Sequence, residues 1–282
     1  MKLRLAYSTA LVLMLCFAAA AQTPPPPDVQ DGLRAAIDGP QRTPENVKRD
    51  KFRHPLETLG FFGIRPDMLV IEVLPGGGWY TEILAPFLHD RGQLVEATPP
   101  QSSDNAFARK MAVRYAEKLA ADPAVYGRVE LEPFELPEYM PLGAPNSADM
   151  VLTFRNMHDL IFANVHGEVT DEPMQRFLRG AYQVLKPGGV LGVVAHRAEP
   201  DMSPEKSHKL GRLPQAFLAR EAERAGFRLA GSSEINANPK DPRTMPVWYL
   251  PPSLKQGEKN RAQYEAIGEA DNMTLRFVKP AD

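Results

Sequence analysis

The sequence predicts an α/β protein built on a doubly wound, mainly parallel sheet, and two observations carry that expectation. The first is residues 68–74, Met-Leu-Val-Ile-Glu-Val-Leu, apolar and β-branched except for Glu72. Such a continuous run suits a strand buried on both faces. Pro75-Gly76-Gly77-Gly78 cannot continue the strand, and from Trp79 the apolar positions Tyr80, Ile83, Leu84, Phe87 and Leu88 fall at helical spacing. Strand, glycine loop and helix open a βαβ unit in which the backbone can approach a ligand and the helix N-terminus faces it. The second observation is that strand and helix patterns keep alternating to the end of the chain, as a sheet covered by helices requires.

Composition sets the frame around that unit. The chain has 282 residues, 43% hydrophobic and 24% charged, enough for one α/β domain with a core that needs neither disulfides nor metals. Residues 1–21 read as a secretory signal peptide. Lys2 and Arg4 make the basic start, Leu11 to Phe17 the apolar centre, and Ala18 to Ala21 the cleavage region before Gln22. The apolar run is shorter than the ~20 residues a membrane span needs, so no stable membrane insertion is expected. Removing this segment deletes Lys2, Arg4 and no acid, which moves the formal charge from −2 to −4. It also removes Cys16, the only cysteine, leaving a mature chain suited to a periplasmic or secreted location. A net charge of −2 supplies no basic field for nucleic acid or an anionic membrane. The sequence carries no signal of oligomeric state.

Residues 22–42, with four consecutive prolines at 24–27, read as an extended Pro-rich linker, and 43–282 as the folded domain. Thr43-Pro44-Glu45 looks like a helix start running through Phe52 to the Arg53-His54-Pro55 break, followed by a short helix over 56–62. Pro86 should kink or shorten the glycine-loop helix. Strands are then expected at 93–97, 128–132, 148–154, 190–195, 228–235 and 273–278, with helices at 107–119, from 171 to 185, and at 214–225. Residues 236–270 are too long for an ordinary connection. Trp248, Tyr249 and Tyr264 mark them as an insertion that could serve as a lid.

Three stretches resemble one family. Glu72-Val73-Leu74-Pro75-Gly76-Gly77-Gly78 resembles the first motif of class I S-adenosylmethionine-dependent methyltransferases, D/E-x-G-x-G-x-G, with Leu74 in place of the first glycine. No Lys-Ser or Lys-Thr follows, which excludes a P-loop, and Thr81 stands where a dinucleotide motif has its third glycine. Ala148 to Phe154 followed by Arg155-Asn156-Met157-His158-Asp159 resembles the fourth motif of the family, and Leu185-Lys186-Pro187-Gly188-Gly189 its helix-stop turn. More narrowly, Phe61-Phe62-Gly63, Pro75-Gly76-Gly77-Gly78-Trp79-Tyr80 and His196-Arg197 look like a group of bacterial exported predicted methyltransferases.

The resemblance implies a Rossmann-like, mainly parallel seven-stranded sheet with N-terminal helices and an insertion before a last antiparallel strand. It also implies S-adenosyl-L-methionine as cofactor and methyl transfer to an unidentified small-molecule acceptor. Glu72, Pro75, Gly76, Gly77 and Gly78 would then hold the cofactor, with Arg155 and Asn156 on the same rim. Thr98 occupies the position of the ribose-binding acid, and Glu96, two residues earlier on the same face, is the candidate substitute. His158 is the first candidate for a general base and His196 the second. A non-catalytic ligand-binding protein on the same fold is the alternative, prompted by the displaced acid and by export away from a cofactor supply. No metal is expected, because no two of the six histidines stand at i, i+4.

Overall fold

Residues 26–135, 142–163 and 169–281 are described by the structure, a computed structural model. The expected signal peptide, 1–21, lies outside them. Seven strands form the main sheet: β1 Leu69–Val73, β2 Gln93–Thr98, β3 Glu130–Pro133, β4 Ala148–Phe154, β5 Leu185–His196, β6 Arg228–Ser233 and β7 Asn272–Val278. Their order is β3-β2-β1-β4-β5-β7-β6. The pairs β3/β2, β2/β1, β1/β4 and β4/β5 are parallel, and β7 runs antiparallel to both β5 and β6.

Alternation along the central strands divides the core in two. Ile71, Val73, Val151, Leu191 and Val193 point to one face, where they meet the helices Glu172–Val184 and Gln215–Arg224. Val70, Met150, Leu152, Val190 and Val194 point to the other, against α1 Pro27–Ile37, α2 Pro55–Phe62 and α3 Thr81–Leu88. The sheet is therefore covered on both sides, which explains why β1 reads as an unbroken apolar run.

Two expectations for the N-terminal part are corrected. Residues 22–42 are not a linker throughout: α1 places Val29, Leu33 and Ala36 in the core. Their spacing at i, i+4 and i+7 is helical, and Pro27 is tolerated at the first helical position. The single helix expected from Thr43 to Phe52 is two short turns, Pro44–Val47 and Asp50–Arg53. α3 continues for two residues past Pro86, to Leu88. Proline leaves the carbonyl four residues back without its helical donor. That carbonyl belongs to Glu82, and the Gln41 side chain donates to it at 2.9 Å.

Residues 236–270 fold onto the domain edge. They contain the helix Arg261–Ile267 and a small apolar cluster of Leu250, Tyr264 and Ala270. The Asn236 amide bonds Thr58 and Thr274, each at 2.9 Å, tying the insertion to α2 and β7.

Candidate functional site

The carboxyl ends of β1, β2 and β4 frame a cleft of about 330 Å³, lined among others by Leu74, Gly76, Thr98, Pro99, Phe107 and Met111. It lies where the strand order reverses, β1 leading outward to β2 and β4 to β5. The loop after β1 is wound through positive φ at Leu74 (54°), Gly76 (60°) and Gly78 (76°). Leu74 thus adopts the glycine conformation without being glycine, at a cost of roughly 1–2 kcal/mol. Asn156 holds it there, donating to the carbonyls of Val73 at 3.0 Å and Leu74 at 3.1 Å.

The glycines differ in what they do. A Cβ on Gly76 would meet nothing within 4 Å, so its backbone is open to the cleft. Gly77 is equally open but does not border the cleft. A Cβ on Gly78 would stand 3.0 Å from Lys118 and 3.1 Å from Tyr115, so this glycine serves packing of α3 against the helix α4 Ala106–Ala121. Pro75 is buried beneath the turn.

Glu72 and Glu96 stand opposite one another across β1 and β2, 2% and 0% exposed. They lie under the loop and do not border the cleft, so the expected substitute for a ribose-binding acid, Glu96, stands behind the loop instead of on the cleft rim. Thr81 donates to Glu72 at 3.4 Å and shares a 2.8 Å bond with Tyr115. Burial pushes the Glu72 carboxyl up to about 7, and burial with the Glu72 charge raises Glu96 well above the usual range. The folded chain therefore holds protons that the unfolded chain releases at ordinary carboxylate pH. Stability should fall as pH rises from that range through about 7. Glu96→Gln keeps the shape and removes the second charge, so its melting temperature should fall less between pH 5 and 8 than that of the parent. Parallel melting curves across that range would refute the raised carboxyl pKa values as the source of the pH dependence.

Beyond β4 the chain turns through Arg155, with φ of 67°, into a single helical turn, Met157–Leu160. His158 and His196 come together there, with ring centroids 5.7 Å apart. His158 Nε2 lies 3.4 Å from the Asp159 carboxylate, and only 15% of its side chain is exposed. Burial lowers the pKa of both imidazoles below the ordinary value, in His196 reinforced by the charges of His158 and Arg155. Both shifts favour the neutral imidazole. Neither ring borders the cleft, and neither does Arg155.

With this geometry in hand, the comparison with solved structures is specific about architecture. A SAM-dependent methyltransferase from Aquifex aeolicus superposes with a TM-score of 0.53 at 17% identity, over 89% of this chain and 98% of that one. The fold is the class I methyltransferase fold. The 4+2 cyclase SpnF matches it as well, with a TM-score of 0.54 at 17% identity over 90% of this chain and 94% of that one. The sequence matches no family model and no curated protein. At these identities the likeness establishes the fold, and chemistry has to be argued from the site.

The donor set suits a nucleoside-bearing cofactor such as S-adenosylmethionine. Gly76 leaves room for close approach, Phe107 and Met111 supply apolar surface, and Thr98, Glu135 and Asp159 supply oxygen acceptors. Phe107 is 75% exposed at the first turn of α4, whose N-cap Asn105 accepts from the backbone N–H groups of Phe107 and Ala108. Glu135 is the acid that sequence reasoning missed. It follows β3 rather than β2 and accepts from the Ser103 hydroxyl, a pairing across 32 positions that no local pattern announces. Asp159 was equally missed, although it adjoins His158. Among the described residues no group of histidines, cysteines and acids is placed to hold a metal ion, and no helix is long and apolar enough to cross a membrane.

Proposed function

We propose that this chain binds S-adenosylmethionine in the cleft over Gly76 and transfers its methyl group to a small-molecule acceptor. The observation that carries the reading is a 330 Å³ cleft at the strand-order reversal, floored by the one motif glycine whose backbone is open to it. The bound cofactor supplies an electrophilic methyl group. Gly76 provides the close backbone approach, Thr98, Glu135 and Asp159 accept from hydroxyl and amino groups, and Phe107 with Met111 offers apolar surface along one wall. Asp159 borders the cleft, and His158, which does not line it and whose Nε2 lies 3.4 Å from that carboxylate, would take the proton of an acceptor that reaches past Asp159. Glu72, Glu96 and Asn156 shape the loop from behind.

Calorimetric titration with S-adenosylhomocysteine tests the reading. Binding with a dissociation constant in the micromolar range is expected, in line with ordinary enzyme–ligand affinities of roughly 1 μM to 1 mM. Absence of binding would leave a ligand-binding protein or another reaction on this fold, which the similarity to a cyclase keeps in view. Export belongs to the same proposal, and it rests on the basic start at Lys2 and Arg4, the apolar Leu11 to Phe17 and the small residues Ala18 to Ala21. A mature chain starting at Gln22 by mass spectrometry is the corresponding check.

A further inference from the structure

A second polar centre lies next to the cleft, built around Arg155. The Arg155 N–H donates to the Val194 carbonyl at 2.6 Å, seating the residue beside the end of β5. Its Nε, Nη1 and Nη2 are all sealed from solvent, and none makes a hydrogen bond of good geometry, although the guanidinium lies close enough to the Tyr80 hydroxyl to act on it. The Tyr80 hydroxyl is in the same condition, in a side chain only 1% exposed. Its ring is stacked on Phe154 with centroids 3.5 Å apart, which fixes the direction of the hydroxyl. His196 Nδ1 and Asn272 Oδ1, on residues opposite each other in β5 and β7, are likewise sealed and without partners.

Charge in this centre does not balance. Arg53 is 8% exposed and pairs with Glu269 at 3.2 Å, but Arg49 holds the same carboxylate at 2.6 Å. One acid pairs directly with two arginines and also feels the charge of Arg155, which makes no ion pair of its own among the described residues. Burial and then the nearby Arg155 charge pull the Arg53 guanidinium down to about 9, so the cations oppose one another. An unpaired buried guanidinium on a residue with positive φ is destabilising twice over, and such features persist where a ligand completes the site.

We propose that Arg155, with Tyr80 and His196, forms a subsite for the carboxylate of an anionic acceptor. The planar guanidinium fork matches a carboxylate bidentately, and the Tyr80 hydroxyl adds a third donor. This assignment rests on the proposed methyl transfer for the word acceptor, and on the geometry alone for the oxyanion. Arg155, Tyr80 and His196 do not border the cleft, whereas Asn156, the next residue, does. A carboxylate held there places the rest of the acceptor beside His158 and His196 and at the cleft's edge.

The test uses the purified chain, Arg155→Gln and Tyr80→Phe. Each is melted in sodium acetate and in sodium chloride at matched ionic strength, and each is titrated with S-adenosylhomocysteine. Acetate should raise the parent's melting temperature over chloride, by less in Tyr80→Phe and not at all in Arg155→Gln. Without acetate both variants should melt at or above the parent, because they delete groups that make no hydrogen bond of good geometry. Affinity for S-adenosylhomocysteine should be the same in all three. The subsite is overturned by an acetate effect that survives in Arg155→Gln or is absent from the parent, or by a lowered melting temperature in Arg155→Gln, which would make the guanidinium structural. A tenfold or larger loss of S-adenosylhomocysteine affinity in Arg155→Gln would also overturn it, assigning Arg155 to the cofactor's own carboxylate. An acetate effect in a parent that does not bind S-adenosylhomocysteine would support the oxyanion site while removing the proposed reaction.

Discussion

Arg212→Met is expected to destabilise the chain by about 3–5 kcal/mol, the range for removing one partner of a buried ion pair. Arg212 and Asp241 are both fully buried at the side chain, joined at 2.8 and 3.1 Å by two parallel bonds. Arg212 also donates to the carbonyls of Met245 at 3.1 Å and Arg197 at 3.2 Å, so its loss strands two further acceptors. Asp241 in turn accepts from the backbone N–H of Asp271 at 2.7 Å and of Arg243 at 2.9 Å. This pair joins the segment after β5, which carries the His196 rim, to the insertion 236–270. Thermal melting should fall by on the order of 10 °C for a chain of this size. Adding Asp241→Leu to Arg212→Met should recover part of the loss, because the uncompensated charge is gone although two N–H groups lose their acceptor. A single-variant loss below about 1 kcal/mol would show that the pair contributes nothing net to stability.

That pair is also where sequence reasoning stops. β1, β4 and β5 were legible because central parallel strands are buried on both faces and read as apolar runs, and the turn after β1 because glycine and proline punctuate it. α1 is readable in principle from Val29, Leu33 and Ala36, but the four prolines at 24–27, the last of them its first residue, point toward an extended linker. The insertion's aromatic residues suggested a lid. Instead Tyr264 packs with Leu250 and Ala270, and none of the segment borders the 330 Å³ cleft. What sets its place is Arg212 meeting Asp241, a contact between residues 29 positions apart with no periodicity to reveal it.

The site divides along the same line. Gly76, Thr98 and Asn156 all border the cleft, as the strand ends of this topology converge on one rim. Glu72 and Glu96 carried the family's acidic signature but are turned under the loop, where register across β1 and β2 makes them each other's neighbours. Motif spacing gives position along a strand. It does not say whether a carboxylate points into a cleft or into the core, and here the buried Thr81 and Tyr115 hydroxyls mark the latter. The resemblance has a glycine where this chain has Leu74, and the backbone keeps the glycine conformation because Asn156, 82 positions away, clamps it.

His158→Ala is expected to lower turnover by roughly 10²–10⁴, the usual contribution of a general base. Affinity for S-adenosylhomocysteine should stay unchanged, because the proton that moves belongs to the acceptor. Burial, with the positive charges of His208 and Arg212, depresses the His158 pKa against the opposing pull of Asp159. The acid limb of the pH–rate profile should therefore lie below the ordinary imidazole value. As pH falls through that depressed pKa, His158 gains a proton, stops accepting one, and turnover drops; the alanine variant should lack this limb. His196→Ala is the internal comparison, since the rings lie 5.7 Å apart and His196 is the one facing Arg155. Loss of the limb in His158→Ala alone assigns the base. Equal losses in both variants, with the limb retained, would mean that the imidazole pair positions the acceptor. An unchanged rate in His158→Ala would move the base to Asp159, which borders the cleft with 53% of its side chain exposed.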